Sequence, residues 1–152
     1  MTRQQEAVEN FMSGHNCAQS VFLAYADLLG LSQQQAGMLS AGFGGGMGRL
    51  RKTCGAFTAC VAMCGYLAGE DGYDPAMRPQ VYAKVQEVHR RFIERCGSVE
   101  CAELLKKPPV PESPIPDPRT AEYYAKRPCT QIVRSACEIL DELLAEQAEE
   151  HP

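Results

Sequence analysis

Residues 54–68 carry apolar side chains around nearly the whole circumference of the helix that their spacing predicts. A surface helix keeps one polar face, so a helix that is apolar on every side must be covered by other elements. This stretch therefore predicts a central buried helix with the rest of the chain packed around it. Thr53, directly before it, is a candidate N-cap. The apolar residues are Ala56, Phe57, Ala59, Val61, Ala62, Met63 and Leu67.

Further helices are indicated by N-cap residues, by glycines that end helical stretches, and by apolar residues at helical spacing. They are predicted at residues 3–12, 17–29, 33–41, 78–95, 98–105 and 130–144. No segment shows a convincing alternation of apolar and polar residues with the period of a strand. We therefore expect an all-α fold, a compact single-domain bundle of about six or seven helices over residues 1–152.

The segment 107–128 is rich in proline, which interrupts helices and favours extended backbone. We expect this segment to wrap the surface in extended form, with Ile115, Tyr123 and Tyr124 holding it to the core. Residues 146–152 are polar, and we expect this C-terminal tail to be frayed.

The charge balance excludes some classes of partner. The chain has 15 Lys and Arg against 19 Asp and Glu, a net charge of −4 at pH 7. It lacks a basic stripe with interleaved aromatic residues, so we expect no nucleic-acid partner. The most apolar uncharged run is shorter than the roughly 20 residues of a membrane span, and the N-terminus lacks the apolar core of a signal peptide. We expect a soluble, cytoplasmic protein.

Eight of the 152 residues are cysteine. Cytoplasmic thiols stay reduced, so this content indicates metal or redox chemistry rather than a disulfide framework. Four of the eight lie at or near the starts of predicted helices, namely Cys17, Cys54, Cys101 and Cys129. A helix start presents unbonded N–H groups and the positive end of the helix dipole, which favour the thiolate. We therefore expect these four sulfurs to be metal ligands or, without metal, redox-active thiols.

The other four cysteines lie inside predicted helices or at their ends. Cys60 and Cys137 have neighbours typical of a protein core, so we expect them to be small buried hydrophobic side chains. Cys64 shares a helix face with Cys60, and Cys96 lies beside a helix-ending glycine. Cys64 and Cys96 are therefore the candidates for additional sulfurs at a site.

The four helix-start cysteines are 37, 47 and 28 residues apart, and the chain has no C-x-x-C pair. The local motifs of thioredoxins, zinc ribbons and bacterial ferredoxins are therefore missing. A shared site would require the fold to bring distant helix starts together. Spacing alone leaves open whether the four meet or stay scattered. Thiolates that meet require a cation, a metal cluster or a disulfide to offset their charge.

A glycine-rich loop is predicted over residues 42–48, but it fits neither a dinucleotide fingerprint nor a P-loop. One interpretation is a tight turn where helix backbones pack closely. The other is that its backbone N–H groups, next to Cys54, donate hydrogen bonds to sulfur or to a bound anion. The candidate cofactor-binding residues are Gly44, Gly45, Gly46 and Gly55.

Several motifs together resemble one known family. They are Gly14-x-Asn16-Cys17-Ala18-Gln19-x-Val21, Gly42-Phe43-Gly44-Gly45-Gly46-Met47-Gly48-Arg49, Cys54-Gly55-Ala56 and the single residues Cys101 and Cys129. The sequence is similar to the redox-active C_GCAxxG_C_C family from about residue 6 to residue 145. The resemblance implies a small, all-helical, mostly bacterial domain, with the family's four characteristic cysteines at positions 17, 54, 101 and 129.

The resemblance also carries expectations about chemistry. A related module forms the N-terminal part of split-Soret cytochromes, which implies that the four cysteines bind an iron–sulfur cluster, with a 2Fe–2S cluster expected. An electron-transfer partner and a homodimer are implied as well. Two alternatives stay open: a metal-free thiol–disulfide redox protein, and a helical interaction module with a structural Zn(Cys)4 site.

The chain departs from the family pattern in two places. Ala59 stands where the family's C-G-A-x-x-G has its last glycine. The positive charge of residues 49–53 replaces a glycine and an acidic residue that many relatives carry before the cysteine, and we expect it to favour a Cys54 thiolate. The chain also has no C-x-x-C-H, so it lacks the covalent haem site of the cytochromes.

Overall fold

The computed structural model of the chain describes residues 1–150, and within them the backbone is helical apart from turns, loops and one isolated bridge. The all-α prediction is confirmed. The α-helices are α1 Arg3–Met12, α2 Cys17–Tyr25, α3 Gln33–Ser40, α4 Gly44–Met47, α5 Gly55–Ala62, α6 Cys64–Leu67, α7 Arg78–Cys96, α8 Cys101–Leu105, α9 Ala121–Lys126 and α10 Cys129–Glu150. Short 3₁₀ turns lie at Ala41–Phe43 and Pro75–Met77. Among the helices of this part of the chain, none combines the length and apolar character needed to cross a membrane.

Helix α5 lies at the centre of the bundle, in contact with α2, α7 and α10. The predicted buried helix is therefore found, but it does not continue unbroken to residue 68. The Met63 amide donates to the Cys60 carbonyl, three residues back, at 3.1 Å. The Cys64 thiol donates to the same carbonyl at 3.4 Å. This tightened turn ends α5 and starts the short helix α6.

Helix α2 begins where its cap predicts. The Asn16 side chain accepts from the Gln19 amide, and the Gln19 side chain accepts in return from the Asn16 amide. The predicted end at residue 29 is wrong, because α2 stops at Tyr25. Residues 26–30 form a tighter turn with hydrogen bonds between residues three apart, which closes at Gly30 with φ 69°.

The last helix is longer than predicted. Helix α10 continues to Glu150, so the prediction of a frayed tail is wrong for residues 146–150, while residues 151 and 152 lie outside the described part. The Glu146 carboxylate pairs with Arg91 of α7 at 2.9 Å. The Gln147 side chain donates to the Tyr66 and Leu67 carbonyls of α6, both at 3.1 Å. These contacts hold the final turns of α10 against the bundle.

The proline-rich segment is extended as predicted over residues 107–120, but residues 121–126 form α9, which the Thr120 side chain caps. Tyr124 packs its ring edge-on against Phe11 of α1. Ile115 does not hold the segment to the core, because its side chain is 72% exposed. Helix α8 likewise begins at residue 101 rather than 98.

Candidate redox centre

Four cysteines that lie far apart in the chain line one cavity of about 330 Å³. Cys17 is the first residue of α2, Cys54 directly precedes α5, and Cys101 and Cys129 are the first residues of α8 and α10. Cys54 and Cys101 are buried, while Cys17 and Cys129 are half-buried. The fold therefore brings the starts of four helices to one place.

Backbone hydrogen bonds join the segments that carry two of these cysteines. The Cys54 amide donates to the Val99 carbonyl at 2.7 Å, and the Cys101 amide donates to the Lys52 carbonyl at 2.6 Å. These bonds flank the isolated antiparallel bridge of the structure. The starts of α5 and α8 are thus held side by side, although they are distant in sequence.

Cys17 and Cys54 are in contact, and their thiols titrate in opposite directions. The Cys54 thiol donates a hydrogen bond to the Cys17 sulfur, which also accepts from the backbone N–H groups of Gly55, Ala56 and Gly45. These donors stabilise the thiolate against burial and lower the pKa of Cys17 to about 6. The same hydrogen bond, together with burial, raises the pKa of Cys54 well above its usual value.

The prediction that every helix start favours a thiolate is wrong for three of the four cysteines. Burial is the main cause that raises the pKa of Cys101 and raises that of Cys129 to about 12. The neighbouring charge of Cys17 acts in the same direction on both. A hydrogen bond from Arg51 opposes the shift at Cys101. For Cys54, burial and its role as hydrogen-bond donor to Cys17 outweigh the effect of the helix start.

Glycines allow the backbone to approach two of the sulfurs. A Cβ atom on Gly55 would lie 2.7 Å from the Cys17 Sγ atom, and one on Gly46 would lie 2.5 Å from the Cys101 Cβ atom. Gly45 and Gly46 have φ values of 66° and 65°, which favour glycine. The loop is therefore a tight turn, as one of the two sequence interpretations predicts, and the Gly45 N–H group is directed at the Cys17 sulfur.

Gly44 leaves space for the Asn16 side chain, which caps α2. A Cβ atom on Gly44 would lie 2.5 Å from the Asn16 side chain, whose amide donates to the Ala41 carbonyl at 2.9 Å. Asn16 caps the helix that begins at Cys17. Gly44, Gly45 and Gly55 line the cavity. Gly46 packs behind Cys101.

Arg51 is a buried cation at the cavity, with its side chain 1% exposed. Its Nη1 atom donates to the Cys101 Sγ atom at 3.5 Å, and its Nε atom donates to the Glu112 carboxylate. Its Nη2 atom is buried and has no hydrogen-bond partner within residues 1–150. Arg51 therefore acts on Cys101, and the pKa of Cys54 is raised, contrary to the expectation that the nearby positive charge would favour a Cys54 thiolate.

The extended segment 107–120 forms one wall of the cavity. Arg49 Nε donates to the Ser113 carbonyl at 2.6 Å, and Arg127 forms an ion pair with Asp117. These contacts hold the segment over the sulfurs. The side chains that this wall contributes are Pro114, Pro116, Asp117 and Arg119. The arginines around the cavity are Arg49, Arg51, Arg119 and Arg127.

The sulfurs form one contacting pair rather than a tight group. Within residues 1–150, the structure places no three or more His, Cys, Asp or Glu side chains closely enough to hold a metal ion. Cys17 touches Cys54 and interacts electrostatically with Cys101 and Cys129 across the cavity.

The other four cysteines lie away from the cavity lining. Cys60, Cys64 and Cys137 are fully buried, as predicted for Cys60 and Cys137. The Cys60 thiol donates to the Ala136 carbonyl at 3.6 Å. Cys96 is half-buried at the end of α7. The structure thus places Cys64 and Cys96, the candidate additional sulfurs, outside the four-cysteine cavity.

Comparison with known proteins agrees with the motifs. The chain matches a family described as "Putative redox-active protein (C_GCAxxG_C_C)" over residues 15–143. The chain belongs to this family. An uncharacterized protein of Archaeoglobus fulgidus is 29% identical in an alignment of 152 positions that spans 95% of this chain and 94% of the relative. No solved structure matches the chain. The family resemblance seen in the sequence is therefore confirmed.

Proposed function

We propose that this C_GCAxxG_C_C protein holds an iron–sulfur cluster, a 2Fe–2S cluster, in the four-cysteine cavity for electron transfer or redox sensing. The observation that carries the proposal is the meeting of Cys17, Cys54, Cys101 and Cys129 around one cavity of about 330 Å³. A dithiol protein needs two thiols, whereas four cysteine ligands are the usual set for such a cluster.

The residues around the cavity fit a negatively charged sulfur centre. Backbone N–H groups of Gly45, Gly55 and Ala56 are directed at the Cys17 sulfur. The Arg51 guanidinium donates to the Cys101 sulfur and keeps one buried N–H group without a partner in the described residues. Hydrogen bonds and positive charge of this kind offset the charge of thiolates. Gly55 leaves the space next to the Cys17 sulfur that a Cβ atom would fill.

A bound cluster would supply one-electron chemistry, and the chain's own residues would hold and shield it. The four cysteines would be the ligands, and the segment 107–120 would limit access of water. No substrate pocket is needed for this role. The cytoplasmic location, the homodimer and the electron-transfer partner stay predictions from the sequence.

The metal content of the protein tests the proposal. Protein purified without oxygen is expected to be brown and to contain iron and sulfide in equal amounts. A colourless protein with about one zinc per chain would contradict the proposal and support the structural zinc alternative. A colourless, metal-free protein would contradict it as well and would direct attention to the contacting thiol pair.

A second candidate function rests on that pair. The Cys54 thiol touches the Cys17 sulfur, and the pKa of Cys17 is lowered to about 6. A Cys17 thiolate could attack the disulfide of a partner protein, and Cys54 would then release the partner as a dithiol. Two thiols here would lose two electrons and two protons, and the partner disulfide would gain them. In metal-free protein, a mild disulfide oxidant should then remove two thiols per chain in wild type, and the Cys54→Ser variant should keep a mixed disulfide on Cys17.

A further inference from the structure

We propose that Arg51 sets the reduction potential of the four-cysteine centre by stabilising its reduced state; this inference rests on the proposed function. Arg51 would act through the sulfurs as a positioning and charge-compensating residue. It is the cavity arginine that donates directly to a cysteine sulfur, at 3.5 Å from Nη1 to the Cys101 Sγ atom.

The backbone at Arg51 is unusual and is fixed by the glycine-containing turn. Arg51 has a φ value of 58°, in the left-handed region that non-glycine residues rarely adopt. Its amide donates to the Gly45 carbonyl at 3.1 Å, which fixes it in the turn that contains the glycines. A non-glycine residue keeps such a rarely populated backbone conformation only where the surrounding structure requires it. The buried position of the Arg51 side chain is therefore determined by its tertiary contacts.

The guanidinium has one donor to spare. Nε donates to the Glu112 carboxylate and Nη1 to the Cys101 sulfur, while the buried Nη2 has no partner in the described part of the chain. A buried donor without a partner is unfavourable, so a hydrogen-bond acceptor in the cavity would be stabilised there. Inorganic sulfide and cysteine sulfur are such acceptors.

Electrostatics gives the sign of the effect. One-electron reduction would make the whole centre, including its sulfur ligands, more negative by one charge, and a nearby buried cation that donates a hydrogen bond to sulfur would stabilise that charge. Arg51 therefore favours the reduced state. Glu112 lies on the other side of the guanidinium and partly neutralises it, so its carboxylate has the opposite effect.

The test uses the two partners of the Arg51–Glu112 ion pair, because removing the charge of one should shift the reduction potential in the opposite direction to removing the charge of the other. The experiment measures the midpoint potential, together with iron and sulfide per chain, in wild type and in the variants Arg51→Gln, Arg51→Lys and Glu112→Gln. All replacements at Arg51 keep a side chain at the left-handed position, so backbone strain is matched. Arg134→Gln is the control, because it removes one exposed positive charge from α10 at a site that does not line the cavity.

In Arg51→Gln, we expect the ratio of reduced to oxidised centre at a fixed potential to fall about tenfold, which is about 59 mV for one electron. Arg51→Lys should lie between this variant and wild type, because it keeps the charge but loses the fork of donors. Glu112→Gln should shift the ratio in the opposite direction. Arg134→Gln should leave it unchanged.

The outcomes separate this inference from the proposed function. Wild type without iron would overturn both. Iron retained in wild type and Arg51→Gln, with equal potentials in Arg51→Gln and Arg134→Gln, would overturn the role of Arg51 alone. Midpoint potentials that shift in the same direction in Arg51→Gln and Glu112→Gln would also overturn it, because such shifts would come from a disturbed structure around the ion pair and not from its charges. If Arg51→Gln fails to retain iron, Arg51→Lys and Glu112→Gln provide the same test, because their midpoint potentials should still shift in opposite directions from wild type.

Discussion

Cys17 and Cys54 have identical side chains and touch each other, yet only Cys17 is poised to be a thiolate at neutral pH. The difference comes from hydrogen-bond direction. Cys17 accepts hydrogen bonds from one thiol and three backbone N–H groups. Cys54 donates a hydrogen bond to Cys17, and this bond and burial outweigh the backbone N–H groups that act on its own sulfur. At the residue scale, the reactivity of a cysteine therefore depends on which donors surround it, and a helix start alone does not decide it.

This asymmetry predicts the pH dependence of alkylation in the reduced, metal-free protein. The thiolate is the reactive form, and the pKa of Cys17 is lowered to about 6, so its reaction with iodoacetamide should stay fast at pH 7 and halve near pH 6. Mass spectrometry of the Cys17 peptide measures the rate. Cys54→Ala removes the largest stabilising hydrogen bond and should move the midpoint upward. A wild-type midpoint near the ordinary value of 9.0 would contradict the account.

Gly55 gives a second prediction at this scale. A methyl group on Gly55 would lie 2.7 Å from the Cys17 sulfur and 2.8 Å from the Phe43 carbonyl oxygen. We expect Gly55→Ala to lower the free energy of unfolding by about 1–3 kcal/mol and to slow Cys17 alkylation at pH 7. Gly65→Ala is the matched control, because a methyl group there meets nothing within 4 Å in a helix. Chemical denaturation measures both variants, and equal stability in the two would contradict the packing argument.

At the element scale, helix starts that have a side-chain cap could be predicted from sequence more reliably than helix ends. The starts of α5 and α8 were predicted less well, because Thr53 does not cap α5 and α8 begins three residues later than predicted. Asn16 and Ser32 cap α2 and α3 with their side chains, and this chemistry is local. The ends depend on contacts that the local sequence does not show. The early end of α2 at Tyr25 and the break at Met63 both involve hydrogen bonds between residues three apart.

The extended segment 107–120, which forms one wall of the cavity, also makes contacts that could not be predicted from the local sequence. Its proline content predicted extended backbone, but it did not predict that Glu112 would pair with Arg51, which lies 61 residues earlier. The sequence indicated the four cysteines because each lies at a helix start. From the sequence, Arg51 was only one of several positive charges near Cys54, because its burial against the distant residue Glu112 depends on the fold.

The ion pair of this wall gives a stability prediction. Arg51 is the main cause that lowers the pKa of Glu112 from 4.5 to about 2. A carboxyl whose pKa is lowered by folding contributes stability above its unfolded pKa and loses it as pH falls through the folded value. In metal-free protein, we expect Glu112→Gln to lower the free energy of unfolding by about 1–2 kcal/mol at pH 7. The difference from wild type should close between pH 4.5 and about 2.

Urea unfolding across this pH range measures the difference. Glu122→Gln is the control, because it removes an exposed carboxylate that pairs with Lys126 one turn away in α9. Such exposed pairs are worth about 0.3–0.5 kcal/mol. A Glu112→Gln difference that stays constant down to pH 2 would show that the ion pair with Arg51 does not contribute as described.

At the scale of the whole molecule, the central feature is the convergence of four chain segments. Helices α2, α5, α8 and α10 begin around the same cavity, and the bundle packed on α5 holds these starts in place. Spacing in the sequence left this convergence open, because it depends on how all the helices pack. The three-dimensional arrangement places the four cysteines around one cavity, and the proposed cluster requires all four sulfurs as ligands.

Cysteine-to-serine variants test this claim most directly, with iron and sulfide measured per chain after purification without oxygen. Replacing any one of Cys17, Cys54, Cys101 or Cys129 should abolish or strongly reduce retention of iron and sulfide. Cys137→Ser should retain both at wild-type levels and lose only stability, by about 1–3 kcal/mol, because its sulfur is buried in the core. Equal retention in Cys54→Ser and Cys137→Ser would contradict the account of one centre built from four distant cysteines.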